Sequence, residues 1–127
     1  MSNRVVINVS VTGAGATLTG SKTIEVSSAE QVDFSIATGT TDKAIACAIT
    51  LANLKAVVML SDYDLTIKTN SSSTPQETLA LDAGVPLVWI DDNPGCPFAG
   101  NVTQMFATNA SGSTARLRIV VAEDVAP

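Results

Sequence analysis

Histidine is absent from this chain. Its absence excludes Ser-His-Asp and Cys-His nucleophilic catalysis, histidine-ligated zinc hydrolysis and most general-base chemistry at neutral pH. Aromatic residues are scarce, at three Phe, one Tyr and one Trp, too few for the stacked platforms of a typical sugar-binding module. Charged residues make up only 15%, against about a quarter in ordinary domains. A surface so poor in charge suits a protein that works against neighbours. The seven Lys and Arg are scattered, with only Arg116 and Arg118 close together, and the net charge is −5. Nucleic acid is therefore not an expected partner, because phosphate contacts need clustered cations. No apolar run is long enough to span a bilayer, no basic amphipathic stretch suits a membrane surface, and residues 1–7 do not resemble a secretory leader. The sequence predicts synthesis and folding in the cytosol and no membrane partner.

The two cysteines, Cys47 and Cys96, are too few and too far apart for a zinc site. In a reducing cytosol the expectation is two buried thiols acting as small hydrophobes.

What the chain does have is apolar residues, 46% of 127, enough for one domain with its own core. They recur mostly with a period of two, the signature of half-buried strands. Val5, Ile7, Val9 and Val11 alternate with polar neighbours, as do Ile24 and Val26, then Val32, Phe34 and Ile36, and finally Ala115, Leu117, Ile119 and Val121. Further strands are predicted over 64–69, 77–81, 85–90 and 102–108. Turn residues separate them at 12–15, 39–42, 70–75, 91–97 and 109–112.

Residues 44–49 and 54–60 read differently, as strands apolar on nearly both faces. A helix is the alternative for the alanine-rich first piece. Two-faced strands are either sandwiched inside one fold or covered by another subunit, and the pattern leaves both open. Nine or ten strands at even spacing predict an all-β protein, a β-sandwich of jelly-roll or immunoglobulin-like type. A single domain is expected over residues 1–127, with short flexible termini expected at the first three residues and at 124–127.

Each candidate chemical motif has a plainer structural reading. The carboxylate pairs Asp62/Asp64 and Asp91/Asp92 lie at predicted strand ends, where Asp caps and turns the chain. The run Asp91-Asp92-Asn93 is oxygen-rich but lacks EF-hand spacing. Gly13-Ala14-Gly15 lacks the helix and lysine of a phosphate loop. Sequons beginning at Asn8, Asn70, Asn101 and Asn109 are expected by chance in a chain rich in Ser and Thr. Trp89 reads as core. No catalytic, cofactor-binding or metal-binding residue is assigned, no cofactor is expected, and the chain is not expected to be an enzyme.

Four stretches do resemble something known. They are 54–56; Ser61-Asp62-Tyr63-Asp64-Leu65-Thr66-Ile67-Lys68-Thr69-Asn70-Ser71; Ala83-Gly84-Val85-Pro86-Leu87-Val88-Trp89; and 102–119, which includes Asn109-Ala110-Ser111-Gly112. Together they resemble the capsid decoration, or cement, proteins of tailed bacteriophages. The resemblance covers a little over half the chain, and residues before Leu54 carry none of it. It implies a jelly-roll-like sandwich that assembles as a homodimer or homotrimer on the outer surface of the phage head. There it would bridge major capsid subunits, its partner. It brings no catalytic residues. The alternative function is a receptor- or glycan-binding β-sandwich of a phage tail or fibre.

Overall fold

The computed structural model describes residues 3–13, 15–91 and 93–124. Ten strands account for most of it: β1 (Asn3–Gly13), β2 (Ala16–Val26), β3 (Ser28–Ile36), β4 (Lys43–Ile45), β5 (Leu54–Ser61), β6 (Leu65–Thr69), β7 (Thr78–Leu81), β8 (Leu87–Ile90), β9 (Met105–Thr108) and β10 (Ala115–Glu123). Among the described residues there is no α-helix, only a single 3-10 turn at Leu51–Asn53. The helical alternative for 44–49 is thus excluded.

The chain is an all-β sandwich of two four-stranded antiparallel sheets, ordered β3-β10-β5-β8 and β4-β9-β6-β7, plus a separate two-stranded ribbon, β1-β2. From β3 onward the chain crosses from one sheet to the other at every connection except β6 to β7, which pair directly.

Period-two alternation explains the core. In β10, Ala115, Leu117, Ile119 and Val121 all face inward and are buried, while Arg116 and Arg118 face out. Register then carries the inward face to the neighbours: Ile119 lies opposite Met59 and Val32, and Val121 opposite Val57. From the other sheet Ile45, Leu65, Ile67, Leu81, Met105 and Ala107 meet them in one cluster. Burying each large aliphatic side chain there stabilises the fold by about 1.5–3 kcal/mol.

Two expectations need correction. The segment 44–49 is not a two-faced strand. Regular pairing stops at Ile45, Cys47 N–H bonds back to Ile45 O at 3.0 Å, and Ile49 forms an isolated bridge with Val102. Ile45, Cys47 and Ile49 are buried while Ala44, Ala46 and Ala48 are exposed. Alanine counts as apolar in a pattern, yet its one methyl costs little to leave in water. The second correction concerns β1. Val5 and Ile7 are half-buried as expected, but Val9 is 49% exposed. The side chain of Val11 lies outside the described set.

The segment 54–60, in contrast, is apolar on both faces and central in its sheet. Its inner side chains, Val57 and Met59, are fully buried; its outer ones, Ala56, Val58 and Leu60, meet two different fates described below.

Candidate interaction surface

The ribbon β1-β2 is a regular ladder from Asn3↔Val26 to Gly13↔Ala16. Eleven residues per strand give a length of about 35 Å. Gly15, at φ 77°, supplies the positive dihedral that so tight a reversal demands. A bend at Ser27 joins β2 to β3.

Only the base of this arm is tied down. Ile24 and Val26 are buried against Ala56 and Ala122 on the outer face of the β3-β10-β5-β8 sheet, with Val5, Ile7 and Ile90 packed around them. Beyond that point every described side chain from Asn8 to Ser21 is exposed, including Val9 at 49% and Leu18 at 67%. All ladder partners of β1 and β2 lie in each other among the described residues, so both outer edges of the ribbon are unpaired.

Register shows which face is which. Val5 lies opposite Ile24, Ile7 opposite Lys22, Val9 opposite Gly20, and Val11 opposite Leu18. The apolar face that seats the base on the sheet therefore continues along the free half of the arm. A shallow groove of about 200 Å³, lined by Ile7, Val9, Gly20, Ser21, Lys22 and Ile90, marks the place where arm and sheet part.

The outer face of the sheet mirrors this division. Its first apolar row, Ala56, Ala122 and Ile90, lies under the arm. The next row consists of Val58 paired with both Val120 and Val88. Val58 and Val120 are half-buried and Val88 is 41% exposed, with Leu60 one step further on and opposite Arg118. Sequence reading found the apolar strands but could not see that one outer face is split between a covered and an open half. The only hint was that 54–60 lacks the alternation of its neighbours.

Charge follows the same division. Arg4, Lys22 and Glu25 are the only charged residues of the arm, and none lies between Ile7 and Ser21. The rest of the chain carries the whole acidic excess. Natural proteins usually blunt exposed strand edges with charge, proline or bulges. The free half of this arm has no charge, no proline and an unbroken register.

The residues singled out as possible chemistry are placed as structural parts. Asp62 accepts the Arg116 N–H at 2.7 Å and Asp64 accepts the Ala83 N–H at 2.8 Å, each tying a strand end to a neighbouring segment. Asp91 pairs with Lys55 at 3.3 Å; Asp92 lies outside the described residues. Among the described residues no three His, Cys, Asp or Glu side chains converge. Cys47 and Cys96 are both free thiols, but only Cys47 is buried as expected; Cys96, between Gly95 and Pro97 in an irregular loop, is half-buried at the edge of the core. Burial, followed by the negative fields of Glu30 and Glu123, pushes the Cys47 thiol up to about 11 and keeps it unreactive. Trp89 packs against the core and donates Nε1–H to Asn93 O at 2.9 Å. Three of the four sequon asparagines are held in hydrogen bonds to segments distant in sequence: Asn70 with Asn101 and Thr103, Asn101 with Leu51, and Asn109 with Ile36 inside the fold.

What stands out among the described residues is thus a neutral apolar arm beside an open apolar sheet face. Comparison with known protein families, with curated proteins and with solved structures returned no match.

Proposed function

We propose that this chain is a non-enzymatic virion structural protein of the capsid-decoration class. In this reading it binds the outer surface of a phage head as a homo-oligomer and stabilises the capsid by bridging major capsid subunits. The observation that carries the reading is the arm: an apolar β-ribbon held at its base and free along the rest of its length.

An isolated two-stranded ribbon is marginal in water, so its free half makes physical sense when another chain covers it. Both open edges can accept a strand from a neighbour, and the apolar face can seat on one. Repeated, geometrically matched contacts over a symmetric shell give avidity without tight individual binding. The strand orders β3-β10-β5-β8 and β4-β9-β6-β7, with crossing between sheets at nearly every connection, favour a jelly roll over an immunoglobulin-like sandwich. That is the fold the resemblance of 54–119 implies. Synthesis in the host cytoplasm and a final place on the virion surface complete the reading.

The test compares heads with and without the chain under heat or low salt, and counts its copies per particle. A decoration protein raises the temperature of head disruption and is present in numbers comparable to the major capsid protein. Equal stability, with only a few copies per particle, would sink the proposal and point to a tail or fibre component.

A further inference from the structure

We propose that the free half of the arm of one copy lies across the open outer face of the β3-β10-β5-β8 sheet of a second copy. This names the partner surface for the homo-oligomer in the reading above and rests on that part of it.

Within one chain, the arm's apolar face and the sheet's outer face are already complementary: Ile24 and Val26 bury themselves against Ala56 and Ala122. Each of these two surfaces is only half used. The arm continues with Val9 and Leu18 in the same register, and the sheet continues with Val58, Val120 and Val88 in the next row. One arm cannot use up both remainders, because its free half leaves the body where the groove at Ile90 opens. A second copy can supply the missing half of each.

Electrostatics disfavours body against body, and the half-used apolar row of the sheet favours arm on sheet over arm against arm. Two bodies carrying the acidic excess repel, whereas the arm is uncharged from Asn8 to Ser21 and carries only Arg4, Lys22 and Glu25 at its base, Arg4 being paired with Glu25 at 3.7 Å. The row Val58, Val120 and Val88 is itself uncharged, with Arg118 at its edge opposite Asp33. Laying the uncharged half of the arm on it removes apolar surface from water without burying an unpaired charge. The contact joins two different patches, so it closes either by reciprocal exchange in a dimer or by head-to-tail rotation in a ring.

Light-scattering mass of the full chain and of two surface variants, Leu18→Asp and Val88→Asp, tests the idea. At about 100 µM, well above a micromolar Kd, the unaltered chain is expected at a multiple of 13.0 kDa. Each variant is expected at the mass of one chain, with an unchanged circular dichroism spectrum. In a Cys96→Ser background with dissolved oxygen as the oxidant, mixing Leu18→Cys chains with Val88→Cys chains should give a disulfide-linked pair that neither variant forms alone. A monomeric unaltered chain, or an oligomer indifferent to both aspartates, would overturn the inference. So would linkage of Leu18→Cys chains to one another, which would mean that arms pair with arms. Head binding is scored separately. A monomer that still coats heads refutes this contact and leaves the decoration reading standing; an oligomer built by this contact that ignores heads does the reverse.

Discussion

Asn109 donates its Nδ2–H to the carbonyl of Ile36 at 2.8 Å across 73 residues of sequence, and its side chain is fully buried. The same amide donates to Ser113 O at 2.8 Å, while Oδ1 accepts from the N–H and hydroxyl of Ser111. One side chain thus ties the end of β3 to the turn between β9 and β10, where it also organises the reversal.

Replacing Asn109 by Leu removes all four bonds and strands the carbonyl of Ile36 in a dry site. Each bond lost is worth about 1 kcal/mol and each stranded group about 1–3. Asn109→Leu should therefore lower stability by about 3 kcal/mol, read as a fall in the urea midpoint at unchanged slope. A change within experimental error would show that the loop holds itself.

Core and arm should respond in opposite ways. Met59 and Ile119 face each other in the ladder and are both fully buried, so Met59→Ala or Ile119→Ala should cost about 2–5 kcal/mol. Val9→Ser and Leu18→Ser, on exposed positions of the arm, should change the stability of the isolated chain by less than about 0.5 kcal/mol. Equal losses at both places would mean that the arm is part of the folding core.

The Arg116 guanidinium holds the carboxyl of Asp33 below its usual value, mainly through hydrogen bonds of 2.6–3.1 Å. A carboxyl depressed on folding contributes stability above its unfolded pKa, and that contribution is lost as pH falls through the folded one. The difference in melting temperature between the unaltered chain and Asp33→Asn should thus be small and constant near neutrality. It should begin to fall near the ordinary aspartate value of 3.8, vanish only below the lower folded value, and shrink in high salt, because both side chains are well exposed.

Cys47 shifts in the opposite sense. Its folded pKa lies above the unfolded value of 9.0, so the folded state keeps its proton longer. The corresponding stability is complete below about pH 9 and is lost as pH climbs towards 11. In a Cys96→Ser chain, Cys47 should resist a thiol reagent at pH 8 until denaturant is added. Rapid labelling of the native chain would contradict its burial.

The strands with strict alternation were legible in the sequence because register and burial both follow from a period of two. β10 illustrates this: Ala115, Leu117, Ile119 and Val121 face inward as their spacing predicts. Less legible were places where a residue's class and its surroundings disagree. Ala44, Ala46 and Ala48 look apolar and sit in water. Val9 has the same spacing as Val5 and Ile7, yet alternation cannot say where the body beneath a strand ends. The open row Val58, Val88 and Val120 was hidden for a related reason: it assembles from three strands far apart in sequence, each carrying one valine of it. The resemblance over 54–119 pointed to a role, but the candidate surface draws equally on the first 26 residues, which carried no resemblance.

The proposed role is that of an oligomeric clamp, joined arm to sheet, that repeats over the outer surface of a capsid. Imaging purified heads before and after addition of the chain, at a resolution that separates strands, tests it most directly. New density is expected at every equivalent site on the outer surface, with the β1-β2 ribbon covered on its Val9–Leu18 face by a second copy of the chain. Bare heads, or bound chains whose ribbons point free into solvent, would contradict it.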